Sequence, residues 1–245
     1  MKSLLGIAAL LAIAPCTQAA SDFVKGDDTF AGDAELGATV TTGNTQTTSV
    51  KGRLAMKHEL GNWENLYLLE GLYKDDTKVV TAKRYLGSVQ GNYRFGDRSY
   101  MFATGAYEVD PFTGYDYKFN TAAGYGYRLY QGNNSFLDGE FGPGYQYRRL
   151  DNEQQQDLGY TSESNWVAHG VLKYELGISE TSKFQQMLVA DYGDTLDARS
   201  ETSITANIIG ALSMKFAVIV RYNSDPLDDK NSTDTETNMT LLYSF

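Results

Sequence analysis

Charged side chains of alternating sign recur along the N-terminal half of the chain, and their spacing suits ion pairing. The four residues are Glu35, Arg53, Glu70 and Arg84. They lie 14 to 18 residues apart, which is the length of one β-strand and one turn. Opposite charges that face each other on neighbouring strands attract by roughly 0.2–1 kcal/mol a pair where they are solvated. Such a row could rigidify the interior of a β-structure, or it could border a constriction that selects solutes by charge.

Histidine is the side chain best suited to acid–base catalysis at neutral pH, and the sequence has only His58 and His169. A phospholipase-like site would need a serine, a histidine and a polar group that orients the histidine. Ser49 falls on the opposite face of its strand from His58, and neither histidine lies in a long loop. The sequence therefore predicts no catalytic residues, no cofactor and no enzyme activity.

Acidic residues cluster in two of the longer loops. They are Asp151, Glu153 and Asp157 in one loop, and Asp225, Asp228, Asp229 and Asp234 in the other. Hard oxygen ligands of this kind can bind calcium, or bridge to lipopolysaccharide through divalent ions. Their spacing matches no calcium-loop motif, and charged loop tips are common, so no specific metal site is predicted.

Apolar and polar residues alternate with a period of two from about residue 30 onwards. Near the C-terminus, Met239, Leu241, Tyr243 and Phe245 share one parity, and Thr240 begins the other. This alternation predicts strands with one apolar and one polar face. A strand of this kind can cross a membrane although only every second side chain is apolar, because only one of its faces meets lipid.

Turn signals divide the alternating pattern into twelve segments. They are 30–42, 47–60, 63–75, 81–95, 98–109, 114–130, 135–149, 163–177, 182–193, 199–212, 214–224 and 234–245. An even number of strands is typical of single-chain bacterial outer-membrane barrels. The sequence thus predicts an all-β fold, a transmembrane antiparallel up-and-down β-barrel of about twelve strands over 21–245, located in the cell outer membrane.

The connections between the segments are short and longer in alternation. Those after even-numbered strands are short: 61–62, 96–97, 131–134, 178–181 and a junction at Ser213. Several after odd-numbered strands are longer: 110–113, 150–162, 194–198 and 225–233. Outer-membrane barrels have short periplasmic turns and longer external loops, whereas a soluble sandwich has no reason to alternate in this way.

The turn lengths also predict the register of the charged row. A three-residue turn at 43–45 sets Glu35 opposite Arg53, and a two-residue turn at 61–62 sets Arg53 opposite Glu70. A three-residue turn at 76–78 would then set Glu70 opposite Arg84.

Aromatic residues stand near the ends of many segments, where they suit the two interfacial girdles of a membrane barrel. The predicted girdle residues are Trp63, Tyr73, Tyr85, Tyr93, Tyr100, Tyr145, Tyr147, Trp166, Tyr174, Tyr192 and Tyr222. The alternative is that they are ordinary strand formers in a soluble core.

The segment 1–20 has the layout of a secretory signal peptide, with one positive charge, an apolar stretch over 4–14 and small residues before the cleavage site. Cleavage is predicted after Ala19 or Ala20. A lipoprotein would carry its lipid on Cys16, but a proline precedes this cysteine where a small residue is usual. Ordinary cleavage would leave a mature protein without cysteine.

The net charge of −10 excludes nucleic acid as a partner, because no basic surplus is present to neutralise phosphates. The expected partners are membrane lipid, lipopolysaccharide and, for a channel, ions or small solutes.

The alternating segment at the C-terminus ends in Tyr243 and Phe245. It resembles the signature by which the barrel-assembly machinery recognises outer-membrane proteins. This resemblance implies an assembly signal and a barrel-assembly partner.

The first predicted hairpin, from Gly32 to Leu54, contains a glycine-centred Thr-Thr-Gly-Asn-Thr turn at 41–45 and a strand rich in Thr and Ser. It resembles the opening of an uncharacterised family described as salt-induced outer-membrane proteins, a domain of unknown function. The likeness in strand rhythm covers essentially the whole chain after the signal peptide. It implies location and fold and supplies no catalytic residues.

Three functions are compatible with this sequence. The favoured one is a narrow, porin-like channel for ions or small solutes. The alternative is a non-conducting structural or envelope-stress barrel whose lumen is plugged by its own charges. An outer-membrane hydrolase is the least favoured.

Overall fold

The computed structural model describes residues 28–41, 47–76, 79–227 and 231–245, which form a closed antiparallel barrel. Each strand pairs with its neighbours in chain order, and β1 pairs with β12 to close the ring. The predicted twelve-stranded up-and-down barrel is therefore confirmed. The predicted signal peptide at 1–20 and the predicted turn at 43–45 lie outside the described residues.

The twelve strands are β1 (Asp28–Thr41), β2 (Thr47–Leu60), β3 (Trp63–Asp76), β4 (Val79–Arg94), β5 (Ser99–Asp110), β6 (Tyr115–Gln131), β7 (Ser135–Leu150), β8 (Ser162–Ser179), β9 (Ser182–Tyr192), β10 (Leu196–Ile209), β11 (Leu212–Asn223) and β12 (Thr233–Ser244). A 3₁₀ turn (Pro111–Thr113) follows β5, and a short helix, α1 (Asn152–Leu158), follows β7. No helix in these described ranges is long and apolar enough to cross a bilayer.

The turn between β10 and β11 corrects one prediction. The predicted junction at Ser213 is wrong, because Ser213 lies within β11 and is buried. The turn consists of Gly210 and Ala211, and Gly210 has a φ of 55°, which glycine adopts without strain. At its other end, β10 already begins at Leu196. The loop predicted at 194–198 is therefore reduced to 193–195.

The loops at the two ends of the barrel differ in length. The turns at one end span two to four residues, at 61–62, 95–98, 132–134, 180–181 and 210–211. The other end carries the long loops 151–161 and 224–232. We call the first end periplasmic and the second external, in keeping with the usual arrangement of such barrels.

The distribution of polarity is the reverse of that in a soluble protein. The outer face exposes large apolar side chains, among them Phe141, Trp166 and Ile209 at 68%, 75% and 72% of their surface. The buried side chains include Lys51 and Glu70, which are charged. Because side chains alternate between the two faces of a strand, one parity faces the surroundings and the other faces the lumen.

Tyr100 does not belong to an interfacial girdle, contrary to the prediction. It points into the lumen, is 9% exposed, and donates a hydrogen bond from its hydroxyl to Glu140 Oε1 at 2.8 Å. Gly126 on β6 makes room for the ring, since a Cβ there would lie 2.2 Å from it. Other predicted girdle residues do face outwards in contact, such as Trp63 with Tyr93, whose ring centroids are 5.1 Å apart.

The ladder of paired residues between β6 and β7 is interrupted at one place. Pairing is interrupted between Ala122↔Gly144 and Tyr125↔Phe141. Pro143, which has no N–H to donate, lies in this gap but keeps its place beside β8. The two backbones approach so closely here that a Cβ on Gly142 would lie 2.1 Å from the carbonyl oxygen of Ala123.

We expect Gly142→Ala to destabilise the barrel by about 1–3 kcal/mol, the usual range for overpacking, because the clash is with backbone that cannot move away. The measurement is urea unfolding of the refolded protein in lipid vesicles. Gly105→Ala is the matched control, because no atom lies within 4 Å of a Cβ at that position. Equal stability of the two variants would contradict the close backbone approach at Gly142.

Candidate functional site

The register of the first three strands matches the sequence-based prediction. Glu35 on β1 is paired with Arg53 on β2, and Arg53 is paired in turn with Glu70 on β3. All three side chains point into the lumen, where Glu35 and Glu70 are buried. The first three members of the charged row therefore lie side by side at one height.

The fourth member, Arg84, is displaced from the predicted register. Glu70 is paired with Leu86 rather than with Arg84, which lies opposite Leu72. Two features together shift the pairing by two residues from that predicted. Asp76 belongs to β3 and pairs with Val79, which shifts the register by one residue, and an irregularity between Lys74 and Asp75 shifts it by one more. A shift of two keeps Arg84 on the lumen face, and its Nη2 still contacts Glu70 Oε1 at 2.9 Å.

Two short contacts of this row cross the lumen and do not follow the ladder. Arg53 Nη1 lies 3.8 Å from its ladder partner Glu35 but 2.9 Å from Glu201 Oε1 on β10. Arg84 Nη2 contacts Glu236 Oε2 on β12 at 2.8 Å. The strands joined in each case are four positions apart around the barrel. The lumen is therefore bridged by side chains at this height.

These bridges belong to one connected network that we call the central charge cluster. It contains six basic and four acidic residues: Lys51, Arg53, Arg84, Arg199, Lys215, Arg221, Glu35, Glu70, Glu201 and Glu236. The partners on β10 to β12 were not predicted from the sequence. Their inward parity was readable, but nothing in the local pattern indicated which distant strand each would meet.

The cluster is largely removed from water. The side chains of Glu70 and Lys51 are only 1% and 6% exposed. Buried charges need partners because desolvation is costly, and Lys215 meets this need with Glu35 at 3.0 Å and Glu201 at 3.3 Å. The cluster is not fully satisfied, since Arg53 Nε, Arg199 Nε and Glu70 Oε2 are buried without a hydrogen-bond partner. Its geometry is thus a compromise among several pairs.

On the opposite wall of the lumen, from β4 to β9, acidic side chains are held by hydrogen bonds. Glu140 accepts hydrogen bonds from Tyr100 and from Gln90 Nε2, the latter at 3.0 Å. His169 Nδ1 lies 2.6 Å from Asp191 Oδ1, and its ring packs 5.9 Å from that of Phe102.

Several inward-facing side chains on this wall keep contact with solvent. Lys173 is exposed, and Gln185, Met187 and Val189 on β9 are only half-buried. At the periplasmic end lies a cavity of about 320 Å³, lined in part by Arg94, Arg98, Arg128 and Asp138.

The two histidines are not arranged for nucleophilic catalysis. His169 points into the lumen, as the parity predicted, and is paired with Asp191. His58 lies on the outer face of β2, where its ring is 6.4 Å from that of Phe30. The two residues therefore share no site.

One residue of the acidic loops has a local structural role. Asp151 caps α1, since its side chain accepts a hydrogen bond from the backbone N–H of Gln154 at 2.9 Å. Asp228 and Asp229 lie outside the described residues. Among the residues that the structure covers, no group of three or more His, Cys, Asp or Glu side chains is placed to hold a metal ion.

Phe245 closes the barrel at the periplasmic end. Its backbone N–H and C=O exchange hydrogen bonds with Gly32, each 2.8 Å long. Its ring covers Gly32, where a Cβ would lie 2.5 Å from it, and stacks on Tyr243 at 6.4 Å between centroids. The assembly role of Tyr243 and Phe245 stays a prediction.

An apolar outer face with aromatic pairs, a charged interior and a closed twelve-stranded ladder define an integral outer-membrane β-barrel. The protein lies in the outer membrane, with lipid against its outer face. The chain belongs to the family described as "Protein of unknown function, DUF481", which matches residues 34–245. This membership confirms the resemblance to an uncharacterised outer-membrane barrel family.

Comparison with known proteins supports the same fold. The chain is 25% identical over 223 residues to the uncharacterized protein YdiY of Escherichia coli (strain K12), covering 88% of this chain and 83% of that protein. Among solved structures, it is similar to the COG4313 outer membrane channel from Pseudomonas putida F1 (11% identity, TM-score 0.51, covering 91% and 97% of the two chains). It is also similar to the translocator domain of autotransporter NalP from Neisseria meningitidis (12% identity, TM-score 0.51, covering 90% of this chain and 89% of that chain).

We expect Arg84→Met to destabilise the barrel by about 3–5 kcal/mol, because it leaves Glu70 and Glu236 without a principal counter-charge in a buried site. The effect is measured by urea unfolding, with tryptophan fluorescence as the signal. Arg98→Met, in the exposed turn after β4, is the control and should be neutral. A loss below about 1 kcal/mol, typical of surface ion pairs, would contradict the buried role.

We expect Phe245→Ala to slow assembly into vesicles that contain the barrel-assembly machinery more than into vesicles that lack it. The ring supports the seam in both cases, so only an assembly signal gives a machinery-dependent difference. The measurement is the rate at which the heat-modifiable folded form appears on gels. An equal slowing in both vesicle types would leave Phe245 with a structural role alone.

Proposed function

We propose that this protein is a narrow channel for ions or small solutes, with the central charge cluster as its constriction. The barrel has twelve strands. Eight-stranded barrels are filled by their side chains and barrels of sixteen strands leave an aqueous channel, so a barrel of this size is intermediate. Side chains that extend across such a lumen decide whether it conducts.

The observation that carries the proposal is the asymmetry of the lumen. The central charge cluster fills the side formed by β10 to β4, whereas Lys173, Gln185 and Met187 on β8 and β9 remain in contact with solvent. Polar and charged groups line the remaining space, so water and hydrated ions are the solutes it would accept. A passage along β8 and β9 would run beside the charges of the cluster.

A second function is favoured by the number of ion pairs that cross the lumen. A barrel whose interior is held together by Arg53–Glu201 and Arg84–Glu236 could serve as a non-conducting structural or envelope-stress component. Single-channel recording on the refolded protein in planar bilayers separates the two functions. Discrete current steps support a channel, and silence of verified folded barrels supports a structural role.

We expect Arg53→Gln to shift ion selectivity towards cations, because one positive charge is removed beside the passage. It should also raise single-channel conductance, since the bridge to Glu201 is lost. Reversal potentials in a salt gradient and step sizes measure the two effects. Lys83→Gln is the matched control, because Lys83 is exposed on the outer face and lies outside the cluster. Unchanged selectivity with reduced thermal stability would rule out a constriction at Arg53.

The hydrolase alternative is tested on the same sample by incubating the vesicles and measuring released fatty acid. Release above that of empty vesicles would support an enzyme and contradict the absence of catalytic residues predicted from His58 and His169.

A further inference from the structure

The seam between β1 and β12 is paired over only part of its length. In the described ranges, the ladder covers 32–36 against 241–245, and the bonds between Gly32 and Phe245 form its periplasmic end. Every other pair of neighbouring strands is matched at ten or more positions. Both strands continue beyond the seam on their other sides, as the pairs Thr41↔Thr47 and Tyr222↔Thr233 indicate. Their external halves, 37–41 and 233–240, are therefore strands with one unpaired edge.

Side chains, rather than backbone, hold the two strands together above the ladder. At Gly37 the strands are still close, since a Cβ there would lie 2.8 Å from Thr240 Cγ2. Thr240 Oγ1 donates a hydrogen bond to Glu35 Oε2 at 3.3 Å. Higher up, Lys51 on β2 reaches past β1 to Glu236 on β12, with 2.8 Å between Nζ and Oε1. These contacts can break and re-form without unfolding a strand.

The open edge lies at a height where the neighbouring strand faces lipid. Val218 and Val220 on β11 point outwards and are paired with Thr237 and Thr235 on β12. An unpaired backbone group in the hydrocarbon is costly, yet β12 presents exposed hydroxyl side chains here and no backbone partner on the β1 side in the described residues. A molecule with both polar and apolar parts satisfies such an edge better than lipid tails alone.

We infer that the external half of the β1–β12 seam is a lateral opening, through which an anionic single-chain amphiphile passes between the lumen and the outer leaflet. The inference extends the proposed function and rests on it for access to the lumen. An anionic head group, a carboxylate or a phosphate, meets the cluster behind the seam, where basic residues outnumber acidic ones by six to four. An alkyl tail meets inward-facing leucines on the adjoining wall, Leu66, Leu68 and Leu86.

The register supplies a pair of matched cross-links for the test. Ala34 and Tyr243 are paired within the ladder. Continuing the same register by four residues brings Ala38 opposite Met239, in the open half. By this register both pairs are of the hydrogen-bonded kind, as Gly32 and Phe245 are. Hydrogen-bonded pairs on antiparallel strands have Cα atoms about 5.5 Å apart, within the range for a disulfide. Ala34→Cys/Tyr243→Cys therefore locks the closed part, and Ala38→Cys/Met239→Cys locks the open part. Both are made in full-length protein carrying Cys16→Ser.

The experiment uses dodecyl phosphate bearing a diazirine as the probe, added to barrels refolded in phosphatidylcholine vesicles. Cross-links are closed by oxidation or, where the sulfurs lie too far apart, by a bismaleimide. After illumination, the labelled peptides are identified by mass spectrometry. We expect labelling of the seam edges and of the lumen-facing leucines in the 34/243 lock. We expect loss of the lumen labelling in the 38/239 lock, with recovery when a disulfide lock is reduced.

Equal lumen labelling in both locked forms would overturn the lateral opening, as would labelling confined to outward-facing residues. Conductance measured on the same proteins keeps this result separate from the proposed function. Current steps that persist in both locks, together with unchanged labelling, would leave the channel intact and remove the lateral route. Labelling that depends on the 38/239 lock in barrels that carry no current would retain the route and remove the ion channel.

Discussion

The pairing of backbone hydrogen bonds in a medium without water is the constraint on which the rest of this structure depends. A strand edge exposed to lipid is costly, so the sheet closes on itself through the bonds between Gly32 and Phe245. Closure leaves two faces, and the alternation of side chains sends every second residue to each. The apolar set must face the lipid, and the charged set is therefore confined inside whatever its function.

Confinement explains the character of the central charge cluster. Residues such as Glu70 and Lys215 are buried, so each needs a counter-charge within the lumen. Some counter-charges come from neighbouring strands, as Arg84 does for Glu70, and others come from across the ring, as Glu201 does for Arg53. The resulting bridges narrow the lumen on the side of the central charge cluster and leave the side formed by β8 and β9 less occupied. One set of contacts therefore stabilises the barrel and shapes the space through which a solute would move.

Local signals predicted much of the fold and the first part of the site. Alternation indicated the twelve strands, and turn lengths indicated the pairing of Glu35 with Arg53 and of Arg53 with Glu70. The position of Arg84 was predicted wrongly because the turn after β3 is one residue shorter than expected and because the irregularity beside Lys74 has no clear local signature. Tyr100 was assigned to the wrong face because an aromatic residue near a strand end suits both a girdle and a lumen. The contact between Arg53 and Glu201 depends on ring closure, which no stretch of neighbouring residues encodes.

The contact between Gly32 and Phe245 joins residues 213 positions apart in the sequence. All other neighbouring strands are consecutive in the chain, so their hairpins can form with short loops. The entropy of bringing distant segments together is therefore concentrated in a single event. Until that event occurs the chain is a curved sheet with two free edges, to which the edge of a second copy can pair. The balance between monomers and strand-exchanged dimers during refolding is thus set by protein concentration at this one junction.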